Sequence, residues 1–348
     1  MTDMPGLVPL AGDWRPGGLL ARPTRVLVTG VAGFIGAHVA AALGALGHEV
    51  VGVDDVNGYY DVALKRQRLA RLPNGVPVHE ISVADLAFVA LAGEARPTVV
   101  IHLAAQAGVR YSIENPRAYV EANVMGQIGA LEAARAAGAA HLVYASSSSV
   151  YGLERDMPFH TAMRADDPAS VYAATKRSGE LLTQAFARLH AVPATGLRFF
   201  TVYGPWGRPD MAPMLFADAI LSGHPIRLFN GGDMRRDFTF IADIVEGVLR
   251  AADAAPEGDP PHRLYNIGRG APVDLMDFVR TLEAALGREA LLERLPMQPG
   301  DVPATWADTE ALTADTGFSP RTTLDDGIAA FADWYRPWRE VQVQAASA

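Results

Sequence analysis

Cysteine is absent from the 348-residue chain. Its absence excludes disulfides, thiolate nucleophiles and cysteine-ligated metal sites. The nine histidines form no HxxxH or HExxH pair, so the sequence gives no support for a metal site. Long apolar runs are also missing. None approaches the roughly 20 residues that span a bilayer, and we expect no membrane partner.

Lysine is almost absent, because 28 of the 30 basic residues are arginines and only Lys65 and Lys176 remain. The formal net charge of −9 argues against a nucleic-acid-binding surface. The basic stretch KRQRLARL, residues 65–72, is short and amphipathic, and we interpret it as a solvated helix face. Hydrophobic residues make up 49% of the chain, which is enough for a sizeable core.

Short β-branched runs alternate with longer Ala- and Leu-rich segments from residue 24 onwards. This alternation predicts an α/β fold with a Rossmann-type, doubly wound parallel sheet over residues 24–202. Beyond it, Pro and Gly become frequent, and we expect a smaller mixed α/β domain over residues 203–345, with 237–264 returning to the first domain. Residues 1–23 lack the pattern of a secretory signal and predict a flexible extension on a cytoplasmic protein.

The stretch VTGVAGFIG places Gly30, Gly33 and Gly36 between the first predicted strand and its helix. Glycines at this spacing permit a tight turn, close approach of backbone N–H groups to a pyrophosphate, and helix–strand contact. The second predicted strand ends at Asp54, eighteen residues after Gly36. A carboxylate there accepts from both ribose hydroxyls and repels a 2′-phosphate. The sequence therefore predicts an NAD site and disfavours NADP.

The motif YAATK places Tyr172 and Lys176 four residues apart on one helical face. In a chain that otherwise uses arginine, a retained lysine indicates a role that a guanidinium does not fill. A compact ammonium beneath a tyrosine and a ribose stabilises a phenolate. The alternative is an exposed helix pair without a catalytic role.

Four consecutive serines in VYASSSSVYG follow HLVYA, which is typical of a buried strand rather than of a linker. Hydroxyl groups at a strand end donate hydrogen bonds to an anionic ligand. None of them is a carboxylate that shuttles protons, as elimination chemistry requires.

These motifs together resemble the extended short-chain dehydrogenase/reductase superfamily, and within it the NAD-dependent nucleotide-sugar epimerases. The resemblance covers residues 25–338 and is strongest to the UDP-glucuronate 4-epimerase family, through GYYDVALKRQRL, HLAAQAGVRYS, ASSSSVYG, RFFTVYGPWGRPDMA and QPGDVPATWAD. It implies an isomerase that inverts C4 of UDP-glucuronate to give UDP-galacturonate, through a 4-keto intermediate and transient reduction of bound NAD. It also implies a homodimer, formed through residues 119–137 and 170–190.

By this resemblance, Ser147 contacts the sugar 4-hydroxyl beside the catalytic Tyr172 and Lys176. Dehydratases carry an acid pair at the positions of Ser148 and Ser149, and UDP-glucuronate decarboxylases carry Glu at the second. The serines here disfavour decarboxylation and suit a substrate carboxylate. A UDP-hexose 4-epimerase acting on UDP-glucose and UDP-galactose, a decarboxylase, and a non-catalytic NAD-sensing module remain as alternatives.

The resemblance assigns the remaining contacts. Arg208 and Thr201 face the sugar and its carboxylate, Arg236 the diphosphate and Asp301 the uridine ribose, while Arg110 approaches the sugar. Glu80 and Ile81 stand where relatives carry Asp-Ile on the adenine. The full cofactor-binding set is Gly30, Gly33, Phe34, Ile35, Gly36, Asp54, Asn57, Glu80, Ile81, Leu103, Ala104, Ala105, Gln106, Asn123, Tyr172 and Lys176.

Overall fold

A computed structural model describes residues 6–10, 12–73, 75–298 and 301–347 of the chain. Its strands are β1 (Arg25–Thr29), β2 (Glu49–Val53), β3 (Val78–His79), β4 (Val99–His102), β5 (His141–Ser147), β6 (Ala194–Phe199), β7 (Thr201–Tyr203), β8 (Pro225–Leu228), β9 (Arg235–Arg236), β10 (Phe238–Phe240), β11 (His262–Ile267), β12 (Val273–Asp274) and β13 (Leu291–Arg294).

The helices are α1 (Phe34–Ala45), α2 (Val62–Leu69), α3 (Leu86–Ala95), α4 (Tyr111–Glu114), α5 (Pro116–Tyr119), α6 (Gly126–Ala137), α7 (Val171–His190), α8 (Ala212–Ser222), α9 (Ile241–Asp253), α10 (Leu275–Leu286), α11 (Glu310–Thr316) and α12 (Leu324–Ser347). A π-helical segment (Val120–Met125) precedes α6, and 3₁₀ turns occupy Ser148–Tyr151 and Phe229–Gly232.

Seven strands form one parallel sheet in the order β11-β6-β5-β4-β1-β2-β3. Val26 of β1 lies between Val50 of β2 and Val99 of β4 in the register of the central strands. Helices cover both faces, so these strands are apolar along their length rather than alternating. One core cluster includes side chains of α1 and α9, and another those of α3, α6 and α7. The predicted Rossmann-type fold is confirmed.

The smaller elements after β7 form one wall of a cleft, and the parallel sheet forms the other. β7 pairs with β10, β8 with β13 and β9 with β12. The chain returns to the main sheet through α9 and β11, because β11 pairs with β6 over its whole length. None of the helices in the described ranges is long and apolar enough to cross a bilayer.

Part of the N-terminal segment that we expected to be flexible lies against the end of α9. The Asp253 carboxylate accepts hydrogen bonds from the backbone N–H groups of Gly17 (2.8 Å), Gly18 (2.9 Å) and Leu20 (2.7 Å). The side chain of Leu20 is buried in the core. Residues 1–5 and 11 of that segment lie outside the described residues.

The prediction of a solvated face for residues 65–72 is wrong at two positions. Lys65 is 5% exposed and Arg68 is fully buried. Both lie on the face of α2 that turns toward the cleft, where backbone carbonyl groups bind their cationic ends. Amphipathicity predicts a buried stripe, but it does not show that a cation belongs to that stripe.

Candidate active site

A cavity of about 500 Å³ opens at the carboxyl ends of the parallel strands, the edge at which ligands bind in open α/β sheets. Most of the predicted site residues line it: Gly30, Gly33, Phe34, Ile35, Gly36, Asp54, Asn57, Ile81, Leu103, Ala104, Ala105, Gln106, Ser147, Ser148, Ser149, Tyr172, Lys176, Thr201, Arg208, Arg236 and Asp301. The other three, Glu80, Arg110 and Asn123, lie outside this lining.

The glycine turn between β1 and α1 is packed too closely for side chains. A Cβ atom on Gly36 would lie 2.0 Å from the carbonyl oxygen of Gly30. Gly30 itself has φ of +73°, and a Cβ there would lie 2.7 Å from the nitrogen of Ala104. The backbone is therefore bare where α1 begins, which fits the close approach of a dinucleotide pyrophosphate.

Asp54 follows β2 beside this turn and is 8% exposed. One carboxylate oxygen accepts from the N–H of Ala32 (3.0 Å) and the other from the N–H of Val56 (2.8 Å). Burial raises the pKa of this carboxyl, while the two backbone donors and Lys65 oppose the rise. An acid held at this place by the glycine turn itself fits a ribose-binding role.

Lys65 is a site residue that sequence reasoning did not identify. Its Nζ donates to the carbonyl (2.7 Å) and to the side-chain oxygen (3.0 Å) of Asn57, and it lies 4.8 Å from the centre of the Tyr60 ring. These contacts order the loop after β2, which borders the cavity. The rarity of lysine was the available signal, since both lysines of the chain line this cavity.

Two residues that the sequence predicts to bind the cofactor do not line the cavity. Asn123, in the π-helical segment, accepts from the N–H of Gln106 (2.8 Å) and donates to its carbonyl (2.9 Å) and to the Thr175 hydroxyl (3.0 Å). It thereby joins the loop after β4 to α7. Glu80 forms a bidentate ion pair with Arg66 on the surface, so its carboxylate is engaged there.

The YAATK pair lies on the first turns of α7, which Ser170 caps by accepting from the N–H of Ala173 (3.1 Å). Lys176 is 8% exposed, and its Nζ donates to the carbonyl of Ala145 in β5 (2.9 Å). Burial lowers its pKa to about 8. Burial raises the pKa of Tyr172, while a hydrogen bond to the Ser147 side chain and the positive charge of Arg208 lower it.

The four serines divide between two environments. Ser146 also borders the cavity, but its hydroxyl donates to the buried Glu180 carboxylate (2.6 Å). Ser147 ends β5, and its hydroxyl accepts from the N–H of Ser149 (3.1 Å) at the start of the 3₁₀ turn. Ser147, Ser148 and Ser149 line the cavity, and no carboxylate stands among them.

A buried ion pair lies behind the carboxyl end of β5. Arg198 of β6 and Glu180 of α7 are each about 1% exposed and form two parallel N–H···O bonds of 2.8 Å. Arg177 adds a third bond to the same carboxylate (2.9 Å). Sequence reasoning did not identify this cluster; an acid four residues after Lys176 on the helix was its only local signal.

Arg208 lies in the loop after β7, close to the catalytic end of the cavity. Its Nε and Nη2 atoms face the carboxylate of Asp210, which also accepts from the Tyr59 hydroxyl (3.1 Å). Burial works against the charge of Arg208, but Asp210 raises the pKa of the guanidinium well above its usual range. The cavity lining therefore includes a charged guanidinium, which is bonded to Asp210, as well as the serine hydroxyls.

The far end of the cavity carries a second cation and an acid. Arg236 donates to the carbonyls of Val302 (2.8 Å) and Pro303 (3.1 Å). Asp301 forms a 3.2 Å ion pair with Arg110, whose guanidinium lies over the Phe229 ring at 4.5 Å. Arg110 thus reaches Asp301 across the mouth of the cleft. Among the described residues, no group of histidines and acids is arranged to hold a metal ion.

A bare glycine turn, an acid after the second strand and a Ser-Tyr-Lys set define a nucleotide-dependent enzyme of the Rossmann class. The model of the NAD dependent epimerase/dehydratase family matches residues 26–268, and the chain belongs to this family.

Individual members of the family show which of its proteins this chain resembles. The chain is 49% identical to the probable UDP-glucuronate 4-epimerase of Rhizobium meliloti (strain 1021), over 89% of this chain and 96% of that protein. It resembles the crystal structure of the Bacillus cereus UDP-glucuronic acid 4-epimerase, solved with UDP-glucuronic acid and NAD, with a TM-score of 0.83, 32% identity and coverage of 90% and 99%. For the Thermus thermophilus UDP-glucose 4-epimerase with NAD, the TM-score is 0.80, the identity 30% and the coverage again 90% and 99%.

Proposed function

We propose that this protein inverts C4 of UDP-glucuronate to give UDP-galacturonate with NAD as its cofactor. The observation that carries the proposal is one cavity holding Tyr172 and Lys176, three serine hydroxyls without a carboxylate, and the guanidinium of Arg208. The similarity to named UDP-glucuronate 4-epimerases supports it. The roles given below to individual residues, and the division into domains at residues 24–202 and 203–345, belong to the same proposal.

Tyr172 is the group that moves the proton of the sugar 4-hydroxyl. Its bond to Ser147 provides a path between the two hydroxyl groups, and Lys176 and Arg208 supply positive charge that favours the phenolate. When bound at the glycine turn, NAD would serve as the hydride acceptor and donor for C4 of the sugar.

The serine hydroxyls and Arg208 bind the carboxylate of the uronate. Because Asp210 bonds the Nε and Nη2 atoms of Arg208, the guanidinium meets the substrate carboxylate through its charge and its Nη1 donors, and hydroxyl groups complete the hydrogen bonding of that carboxylate. A uronate oxidised at C4 is a β-keto acid, and holding its carboxylate in the plane of the ketone opposes loss of carbon dioxide. Arg236 holds the diphosphate about which the sugar turns between the two halves of the reaction.

The test is proton NMR of the purified protein with UDP-glucuronate, without added NADH. We expect the H4 and anomeric signals of UDP-galacturonate, with the carboxylate retained. Tyr172→Phe should abolish conversion and still bind NAD, whereas Tyr144→Phe, remote from the cavity lining, should turn over. A UDP-pentose product would indicate a decarboxylase. Conversion of UDP-glucose alone would indicate a UDP-hexose 4-epimerase, and NAD binding without turnover of either sugar a sensing module.

We further propose that the protein is a cytoplasmic homodimer. The absence of cysteine fits a reducing compartment. Large apolar side chains are exposed on the π-helical segment (Val120, 48%; Met125, 44%) and on α7 (Leu181, 51%; Leu189, 74%), and exposed apolar patches of this kind mark association surfaces. Multi-angle light scattering should give twice the chain mass of 37.1 kDa, and Leu181→Glu should shift it toward the monomer. A monomeric wild type would contradict the proposal.

A further inference from the structure

Arg68 of α2 binds two separate loops of the cleft with one buried guanidinium. Its Nε donates to the carbonyl of Trp206 (3.0 Å), and its Nη2 donates to that of Gly207 (2.9 Å). Its Nη1 donates to the carbonyl of Ala32 (3.0 Å) and to the Tyr60 hydroxyl (2.6 Å). Ala32 lies in the glycine turn, and Trp206 and Gly207 immediately precede Arg208.

A guanidinium in this position needs hydrogen-bond acceptors from the protein, because Arg68 is fully buried. Within the part of the chain that the structure describes, no carboxylate forms an ion pair with it. Its charge is balanced by carbonyl dipoles and one hydroxyl, and a buried cation that lost these acceptors would be strongly destabilising. Only a planar fork with donors on three nitrogens reaches all of them, so lysine is not an equivalent.

The loop that Arg68 holds is itself in an unfavourable conformation. Trp206 has φ of +63°, in the left-handed region that bulky residues avoid. Such a backbone persists only where its surroundings enforce it. Arg68 bonds the carbonyl of Trp206. The indole ring of Trp206 packs on Trp334 (5.2 Å between ring centres) and under the guanidinium of Arg71 (4.1 Å). The direction in which the chain leaves toward Arg208 therefore depends on Arg68.

The cofactor side of the contact is equally direct. The backbone N–H of Ala32 donates to Asp54, and the backbone carbonyl of the same residue accepts from Arg68. The acid that faces the ribose position and the guanidinium that holds the sugar loop thus bind the same residue of the glycine turn. One guanidinium therefore bonds both the glycine turn and the carbonyls of Trp206 and Gly207.

We propose that Arg68 is a positioning residue that couples the NAD-binding turn to the loop carrying Arg208, so that NAD and the sugar nucleotide favour each other's binding. The identity of the second ligand rests on the proposed function; the coupling of the two loops does not. Because binding linkage is reciprocal, NAD should raise the affinity for UDP-glucuronate by the same factor as the sugar raises the affinity for NAD.

The test compares Arg68→Lys with Arg250→Lys as a matched control. Arg250 is also largely buried and also bonds a carbonyl, that of Thr316 (2.9 Å), but it lies away from the cleft. Calorimetric titration of nucleotide-free protein with UDP-glucuronate, with and without NAD, gives the coupling factor. We expect about fivefold or more in the wild type and in Arg250→Lys, and a value near one in Arg68→Lys.

Amide hydrogen exchange of residues 204–211, with and without NAD, provides a readout that needs no sugar. NAD should slow exchange there in the wild type and in Arg250→Lys, but not in Arg68→Lys. If Arg68→Lys does not fold, Tyr60→Phe, which removes one of the four bonds, should weaken the same protection partially. Equal protection in wild type and variant would overturn the coupling. If the wild type did not bind UDP-glucuronate, but NAD slowed exchange in it and not in Arg68→Lys, the proposed function would be overturned and the coupling would stand.

Discussion

At the scale of single residues, the catalytic end of the cleft is assembled at the expense of stability. Lys176 is buried with a backbone carbonyl as its hydrogen-bond partner, and burial lowers its pKa from 10.5 to about 8. The ammonium is nevertheless charged at neutral pH, as its proposed role beside Tyr172 requires. Unfavourable groups of this kind are retained where function needs them.

Lys176→Met should therefore remove activity and raise stability. A lysine whose folded-state pKa falls from 10.5 to about 8 destabilises the fold by about 3 kcal/mol below pH 8. The bond to Ala145 offsets about 1 kcal/mol of this, so we expect a net gain of about 2 kcal/mol in the free energy of unfolding at pH 7.

The pH dependence of that gain has a definite sign. Between pH 8 and 10.5 the unfolded lysine is protonated and the folded one is not, so the wild type becomes more stable as pH rises. The advantage of Lys176→Met should shrink over the same window. Urea unfolding of both proteins at pH 7 and pH 9.5 measures it, with the exposed Arg280→Met as a control that should show no such trend.

The serine run makes a second prediction at this scale. Ser149→Glu places a carboxylate against the carboxylate of the substrate, and like charges in a partly desolvated site repel each other by several kcal/mol. The kcat/KM for UDP-glucuronate should fall at least about tenfold. Ser149→Gln, of equal size and without charge, should retain most of it. An equal loss in both variants would mean that bulk, rather than charge, is excluded there.

The individual site residues were predictable from sequence to an uneven extent. Gly30, Asp54 and Tyr172 were found because each stands at a fixed spacing beside a strand or on a helical face. Lys65, Arg68 and Glu180 were not, because no fixed spacing links them to their partners Asn57, Trp206 and Arg198. A charge on an amphipathic helix has no sequence signature that separates a solvated cation from a buried one.

At the scale of elements, the junction of β1 with α1 is the proposed nucleotide-binding point. The strands and helices of the main sheet follow from their apolar runs and the glycine turn, and these were predictable. The paired short strands after β7 were not, because strands of two to four residues carry too little periodicity to be recognised.

Gly36→Ala tests this junction directly. Alanine favours a helix, but its Cβ would lie 2.0 Å from the carbonyl of Gly30, so α1 must move away from the turn. We expect a loss of about 1–3 kcal/mol in the free energy of unfolding and at least a tenfold loss of NAD affinity.

Gly93→Ala in α3 is the matched control for Gly36→Ala. Its nearest neighbour, the Cβ of Ala136, lies 3.8 Å away, so the added methyl group has room. This variant should gain about 0.5–1 kcal/mol from helix propensity and bind NAD normally. Fluorescence titration with NAD and thermal unfolding compare the two. Normal NAD binding by Gly36→Ala would contradict the importance of the close contact.

At the scale of the whole molecule, the N-terminal segment contacts both the loop after β7 and the end of α9. The Trp206 indole donates to the carbonyl of Gly6 (3.2 Å), and residues 17–20 are bound to the end of α9. Composition alone predicted flexibility here, because Gly- and Pro-rich chain without periodicity has no preferred structure of its own. The contacts come from two partners, Trp206 and Asp253, which lie 200 and 236 residues away in sequence.

Asp253 shows what that attachment contributes. It is the last residue of α9, where the helix dipole disfavours an acid, so its presence there requires another explanation. Its carboxylate binds three N–H groups of the segment, and hydrogen bonds to a charged group contribute about 1.5–3 kcal/mol.

Asp253→Ala should lower the free energy of unfolding by about that amount. Asp277→Ala, an exposed acid on α10, should change it by less than about 0.5 kcal/mol. Urea unfolding followed by tryptophan fluorescence measures both, and Asp253→Ala should also expose the segment to proteolysis. If Asp253→Ala were as stable as Asp277→Ala, the segment would lie against the fold without stabilising it.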